Sequence, residues 1–179
     1  GSVNYSQGAD ALAMMHDYVV TMMLYVLYLA YAFAAIMAII SALQIYIKMN
    51  TGEDGITKSI MTLIDFSKPS TEKRLYVLDM KNKKLLYTSV VSHGKNSGGN
   101  YATSFSNKNG SYKSSLGFYL TENTYQGRNG YSLVLNGLEK GINDQAKQRA
   151  IVMHGAAYAN PNITASAGRL GRSLGCPAL

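Results

Sequence analysis

The chain has 179 residues and a formal charge of +7, unevenly spread: residues 1–60 hold two lysines against Asp10, Asp17, Glu53 and Asp54, and residues 61–179 hold the other fifteen Lys/Arg against six acids. That asymmetry points to a domain with an appendage, and the single cysteine excludes an internal disulfide. The basic part could meet nucleic acid, anionic lipid or an acidic cell-wall polymer, but the sequence has no helix-turn-helix, zinc finger or arginine-rich arm, so no nucleic-acid partner is expected.

In chain order, the Gly1-Ser2 start without Met reads as a processed terminus or a tag scar. From Tyr18 to Ile47, thirty residues pass without a formal charge. A bilayer core needs about 20 apolar residues as helix, so residues 18–47 are expected to meet a membrane. The competing reading is a buried helix of a soluble bundle. Ala30, Ala34, Ala38 and Ala42 fall four apart, a spacing that lets another helix approach and allows self-association. No Lys or Arg precedes the span, while Lys48, Lys58 and Lys68 follow it. The positive-inside rule then places the C-terminal side in the cytoplasm, although long following domains can override it.

Beyond residue 60 the pattern turns β-rich. "KRLYVLDM" and "KLLYTSVV", joined by Lys81-Asn82-Lys83, predict a hairpin. "SHGKNSGGNYATSFSNKNGSYKSS" predicts a long loop, or short strands with Asn109-Gly110 as a tight turn. "LGFYLT" and "YSLVLNG" predict strands, and "NDQAKQRA" a short helix capped by Asn143 or Asp144. "AIVMHG" returns to strand. The fold class is α+β: a hydrophobic helical segment over 1–60, then a mostly-β domain over 61–179.

The chemistry centres on Cys176 in "GRLGRSLGCPAL". A catalytic thiol needs a base, an orienter for that base and donors for an oxyanion. Of the three histidines, His16 precedes the apolar stretch, while His93 and His154 are each followed by glycine. His154 ends a predicted strand, where the Gly155 carbonyl can turn back toward its ring. Gly175 removes a Cβ where a substrate carbonyl must approach, and Pro177 biases Cys176 to extended backbone. N–H groups near Gly175 and Cys176 are candidate oxyanion donors. Arg169 and Arg172 are candidates to lower the thiol pKa and bind a carboxylate. The residues alone leave open that Cys176 is an inert buried thiol and His154 a structural histidine. A metal site from His93, His154 and Cys176 is not expected, because no paired ligand spacing is present.

The blocks "TEKRLYVLDMKNKKLLYTSVVSHGKNSG", "SYKSSLGFYLT", "GLEKGINDQAKQRAIVMHGA" and "HGAAYANPNITASAGRLGRSLGCPAL" resemble, in order, the murein L,D-transpeptidase catalytic domain family from about Ile64 onward. His154-Gly155 fills the first part of that family's signature, and Ser173, Gly175 and Cys176 the second; Leu174 replaces a histidine that is not the general base. The resemblance implies Cys176 as nucleophile, His154 as base and the Gly155 carbonyl as its orienter. It implies a peptidoglycan tetrapeptide stem as substrate, cleaved between a diamino acid and D-Ala, with no cofactor. Arg169, Arg172 and Ser173 would then hold the stem, and Tyr119 or His93 would line the cleft.

Residues 3–60 resemble a pilin-like small membrane protein of Bacteroidetes conjugation systems, without its second span. Two alternatives therefore stand beside the envelope enzyme: a membrane or pilus subunit of a conjugation apparatus, and a chain joining segments of two unrelated proteins. The enzyme family continues past "CPAL", so an exposed sheet edge and poor catalysis are expected of the 179-residue form.

Overall fold

The computed structural model describes the backbone of residues 5–51 and 58–179, with side chains from residue 8 to 42, at 44 and from 58 onward. The side chain of Lys48 and the 52–57 segment with Glu53 and Asp54 lie outside the described residues. Lys58 begins a compact unit that runs to Leu179, separate from the helix before it.

Helix α1 runs from Tyr5 to Thr51, 47 residues, or about 70 Å at the usual rise. Its stretch Gly8–Ala42 is long and apolar enough to cross a membrane. From Tyr18 to Ala42 it carries no formal charge and no continuous polar face to turn to water, which distinguishes it from the amphipathic helix of a soluble surface.

The second unit is built from two three-stranded antiparallel sheets. Strands β1 (Ile60–Ile64), β2 (Leu75–Asp79) and β3 (Lys84–Ser89) form the first in that order. Its second hairpin is the predicted one. Asp79 accepts the Asn82 N–H at 3.0 Å and the Asn82 side-chain amide at 2.8 Å, and Lys83 takes φ of 53° to close the turn. β1 was not anticipated, because its short apolar run sits at the change of composition near residue 60, where no turn signal sets it off. Strands β4 (Tyr119–Gly127), β5 (Gly130–Gly137) and β6 (Val152–His154) form the second sheet. The segment between the two sheets, residues 90–118, contains no regular strand, and Gly110 sits at φ of 70° in the Asn109-Gly110 turn.

The expected helix over "NDQAKQRA" is instead a succession of turns. Ala146 N–H reaches the Asn143 carbonyl at 2.8 Å and Ala150 N–H the Lys147 carbonyl at 3.1 Å, both three residues back. The cap candidates have other work. Asn143, fully buried, accepts the Glu139 N–H at 2.9 Å and donates to the Phe118 carbonyl at 2.9 Å. Asp144 accepts from Gly141 N–H and the Asn107 amide, both at 2.7 Å. Eight residues without a capped first turn do not repay helix nucleation. A single turn of helix, α2 (Thr164–Ala167), appears further on and ends at Gly168 with φ of 67°.

Leu135, Ala146 and Ile151 form a small apolar cluster, against which Tyr119 and Cys176 pack. Around it the interior is rich in hydroxyls: Ser70, Ser92, Ser97, Ser114, Ser132 and Ser173 are all buried. Most of these hydroxyls bond backbone groups of the irregular segments, which have no sheet partners of their own.

Candidate active site

β6 pairs with the last residues of the chain, which sets the backbone of His154 beside Pro177 and Ala178, directly after Cys176. Ala178 bridges antiparallel to Ser92 and parallel to His154. Ser92 N–H donates to the Ala178 carbonyl at 2.8 Å, and Leu179 N–H to the His154 carbonyl at 2.9 Å. Residues 177–179 are therefore paired on both flanks. Pro177 directs its carbonyl to the His154 N–H at 3.4 Å.

His154 is nearly buried at 4 % exposure. Its Nδ1 lies 2.8 Å from the Gly155 carbonyl oxygen. A carbonyl only accepts, so Nδ1 carries the hydrogen and Nε2 is left with the basic lone pair. The Tyr158 ring meets the imidazole edge to face, with centroids 6.5 Å apart.

Cys176 follows a tight turn closed by one hydroxyl. Ser173 Oγ accepts the Gly175 N–H at 3.0 Å and donates to the Cys176 carbonyl at 2.6 Å. Ser173 itself is fixed by bonds from its N–H to the His93 carbonyl and from Lys95 N–H to its own carbonyl. Ser114 Oγ donates to the Gly175 carbonyl at 3.0 Å. Gly175 has φ of 133°, and a Cβ there would stand 2.9 Å from the Lys113 carbonyl and 3.0 Å from Ile151 Cδ1. Gly175→Ala is expected to cost about 1–3 kcal/mol of stability through backbone strain and to displace the cysteine. A lower thermal midpoint together with slower iodoacetamide alkylation of Cys176 would show both effects.

The sulfur is partly buried; it accepts the Val152 N–H at 3.5 Å and faces the Ala150 carbonyl at 3.7 Å. Burial pushes the thiol pKa up, while the Val152 N–H bond and the Arg149 charge pull it down. Burial outweighs them, so a base must remove the thiol proton for attack at neutral pH. The Gly175 N–H is engaged within the turn, whereas the Cys176 N–H has no acceptor among the described residues. Of the two expected oxyanion donors, Gly175 is thus the one already engaged.

The other candidate residues lie around this centre in different roles. Arg172 donates to the carbonyls of Lys95 and Gly98, both at 2.9 Å. Arg169 donates to the Leu170 carbonyl at 3.0 Å. His93 is wholly buried; its Nδ1 accepts from Arg74 Nη2 at 2.8 Å and its Nε2 faces the Gly98 carbonyl at 3.4 Å. It serves the interior. Tyr119 is partly buried, donates to the Ser115 carbonyl at 3.1 Å and packs near Cys176. The charge acting on the sulfur comes from Arg149, and the neighbouring phenol is Tyr158, whose pKa burial and then Cys176 raise. Sequence reasoning named neither. Tyr158 follows His154 by four residues and could have been flagged by that closeness; Arg149 lay in a predicted helix and gave no signal. No cluster of metal-ligating side chains occurs among the described residues.

Residues 33–179 match the model of the L,D-transpeptidase catalytic domain family. The chain belongs to this family. No curated protein and no solved structure matches it. The match begins inside α1, earlier than the resemblance near Ile64 suggested. This transpeptidase domain carries a family chemistry of peptidoglycan cross-linking, and an apolar helix preceding a cell-wall enzyme domain fits an envelope-associated protein.

Proposed function

We propose that the chain is a membrane-anchored L,D-transpeptidase or L,D-carboxypeptidase that acts through a Cys176 thiolate generated by His154. The observation that carries this reading is the 2.8 Å contact between His154 Nδ1 and the Gly155 carbonyl. It fixes the imidazole in the tautomer with a basic Nε2, the role an acid plays in other triads.

His154 takes the thiol proton, and Cys176 Sγ attacks the carbonyl carbon at the L-centre of the diamino acid in a tetrapeptide stem. The Cys176 N–H supports the tetrahedral oxyanion. Collapse breaks the C–N bond to D-Ala, whose nitrogen receives the proton from His154, and leaves a thioester. An amine of a neighbouring stem attacks the thioester to give a cross-link, or water attacks it to give a trimmed stem; in each case the thiol is restored. Arg169, with most of its five donors free of protein acceptors among the described residues, is placed to hold a stem carboxylate. Ser173 sets the turn, Tyr119 shapes the floor, and Arg172 and His93 support the loop over residues 93–98. Helix α1 anchors the enzyme through residues 18–47, with the catalytic domain on the periplasmic side, where its substrate lies.

The test is D-Ala release from a tetrapeptide stem by the full chain in detergent, set beside intact-mass detection of a carbapenem adduct. The wild-type chain is expected to do both and Cys176→Ser neither. Release by Cys176→Ser at the wild-type rate would overturn the proposal.

A further inference from the structure

Arg149 ends the turns that replace the expected helix. Its guanidinium enters the loop of residues 106–115: Nη1 donates to the Ser106 carbonyl and to Ser115 Oγ, both at 2.7 Å, and Nη2 donates to the Lys113 carbonyl at 2.6 Å and to Ser111 Oγ at 3.3 Å. All four acceptors are neutral. No carboxylate pairs with Arg149 among the described residues, so its charge is held in place and left unneutralised. The same loop carries Ser114, whose hydroxyl holds the Gly175 carbonyl. The Cβ position of Gly175 lies 3.3 Å from Arg149 Nη2. The guanidinium therefore sits against the backbone one residue before the nucleophile.

We infer that Arg149 is a positioning residue for the Cys176 nucleophile: it clamps the 106–115 loop beneath the Gly175-Cys176 turn and sets an unpaired positive charge beside the developing thiolate. The inference rests on the reading of Cys176 as nucleophile and names a residue which that reading did not contain. The charge is worth having here because the site is partly buried, where a cation stabilises an anion more than it does in water. The burial that raises the thiol pKa is thus opposed from the loop side. Of the other ionisable groups, Tyr158 interacts with the sulfur, Tyr119 with Arg149, and His154 lies on β6 beside Pro177 and Ala178; Lys113, whose carbonyl Arg149 holds, turns its ammonium to Ser104 Oγ at 2.6 Å. The two phenols are neutral near pH 7 and add no compensating charge, and Glu139 reaches Tyr119 but makes its contact with the Phe118 N–H.

The test is the pH dependence of Cys176 alkylation by iodoacetamide in the full chain, read by intact mass for wild type, Arg149→Gln and Arg149→Lys, with thermal midpoints measured in parallel. Arg149→Gln is expected to move the alkylation midpoint up by about one pH unit, roughly tenfold less thiolate at neutral pH. Arg149→Lys keeps the charge and is expected to recover most of that shift, although it loses the fork of bonds and some thermal stability. Midpoints unchanged in both variants, with only the melting temperature lowered, would reduce Arg149 to a loop anchor and overturn the inference. So would equal shifts in the two variants. The outcome separates from that of the proposed function: a chain that shows the Arg149-dependent shift yet releases no D-Ala keeps this inference and loses the other. D-Ala release with no shift does the reverse.

Discussion

His154→Ala is expected to slow acylation of Cys176 by about 10²–10⁴-fold, the usual contribution of a placed general base. The thiol does not ionise unaided at neutral pH, because burial holds its pKa above the ordinary value despite Val152 and Arg149. Removing the imidazole leaves attack to the small thiolate fraction, so the residual rate should rise steeply with pH and partly recover in alkaline buffer. That recovery distinguishes a lost base from a collapsed fold, which no pH repairs. Single-turnover acylation by a carbapenem, measured from pH 6 to pH 9, supplies the comparison. A His154→Ala chain acylated at the wild-type rate at pH 7 would show that the imidazole removes no proton from Cys176, whatever its contact with Gly155.

The legibility of this site in the sequence follows from how local each interaction is. The Gly155 carbonyl orients the imidazole of the residue before it, so "HG" at the end of a strand was enough to expect it. Gly175 is likewise local in part: its φ demands glycine, and the position before a nucleophile suggested close approach. The Lys81-Asn82-Lys83 hairpin was readable because its turn and both strands are contiguous. Arg149 was not, since its partners lie 34 to 43 residues earlier in an irregular loop. Nothing in periodicity or propensity reports such a pairing. The arginines nearest the cysteine in sequence attracted the role instead, and Arg172 turns out to be engaged by two loop carbonyls. The Gly175 N–H is a subtler case. The sequence places a donor near Cys176 but does not reveal that Ser173, two residues earlier, takes it. The failed helix over 143–150 has the same origin as Arg149's invisibility: Asn143 and Asp144 make their bonds to distant Phe118 and Asn107, and tertiary contact overrides a weak local preference.

Arg74→Met is expected to destabilise the domain by about 3–5 kcal/mol, enough to unfold many proteins of this size. Arg74 is wholly buried, over the Phe66 ring at 5.1 Å, and donates to the Val91 carbonyl twice, to Lys68 and to His93. Methionine fills much of the volume but leaves those acceptors unmet. His93 gives the same cluster a pH dependence. Burial first, and then the charge of Arg74, press its pKa from 6.5 to about 4. Because Arg74 can only donate, His93 Nδ1 must stay unprotonated to accept. Between about pH 6.5 and pH 4 the unfolded chain binds a proton that the folded chain refuses, so folded-state stability is full above that window and falls as pH drops through it. The loss amounts to about 3 kcal/mol by pH 4. Asp65, Asp79 and Asp144 have lowered pKa values and titrate below this range, so His93 dominates its upper part. Urea unfolding at pH 7.5 and pH 4.5 should show the drop in wild type. His93→Gln, whose amide can both accept from Arg74 and donate to Gly98, should show much less of it. Equal drops in the two proteins would move the acid sensitivity away from His93, and Arg74 would then stand as a structural clamp with no titrating partner.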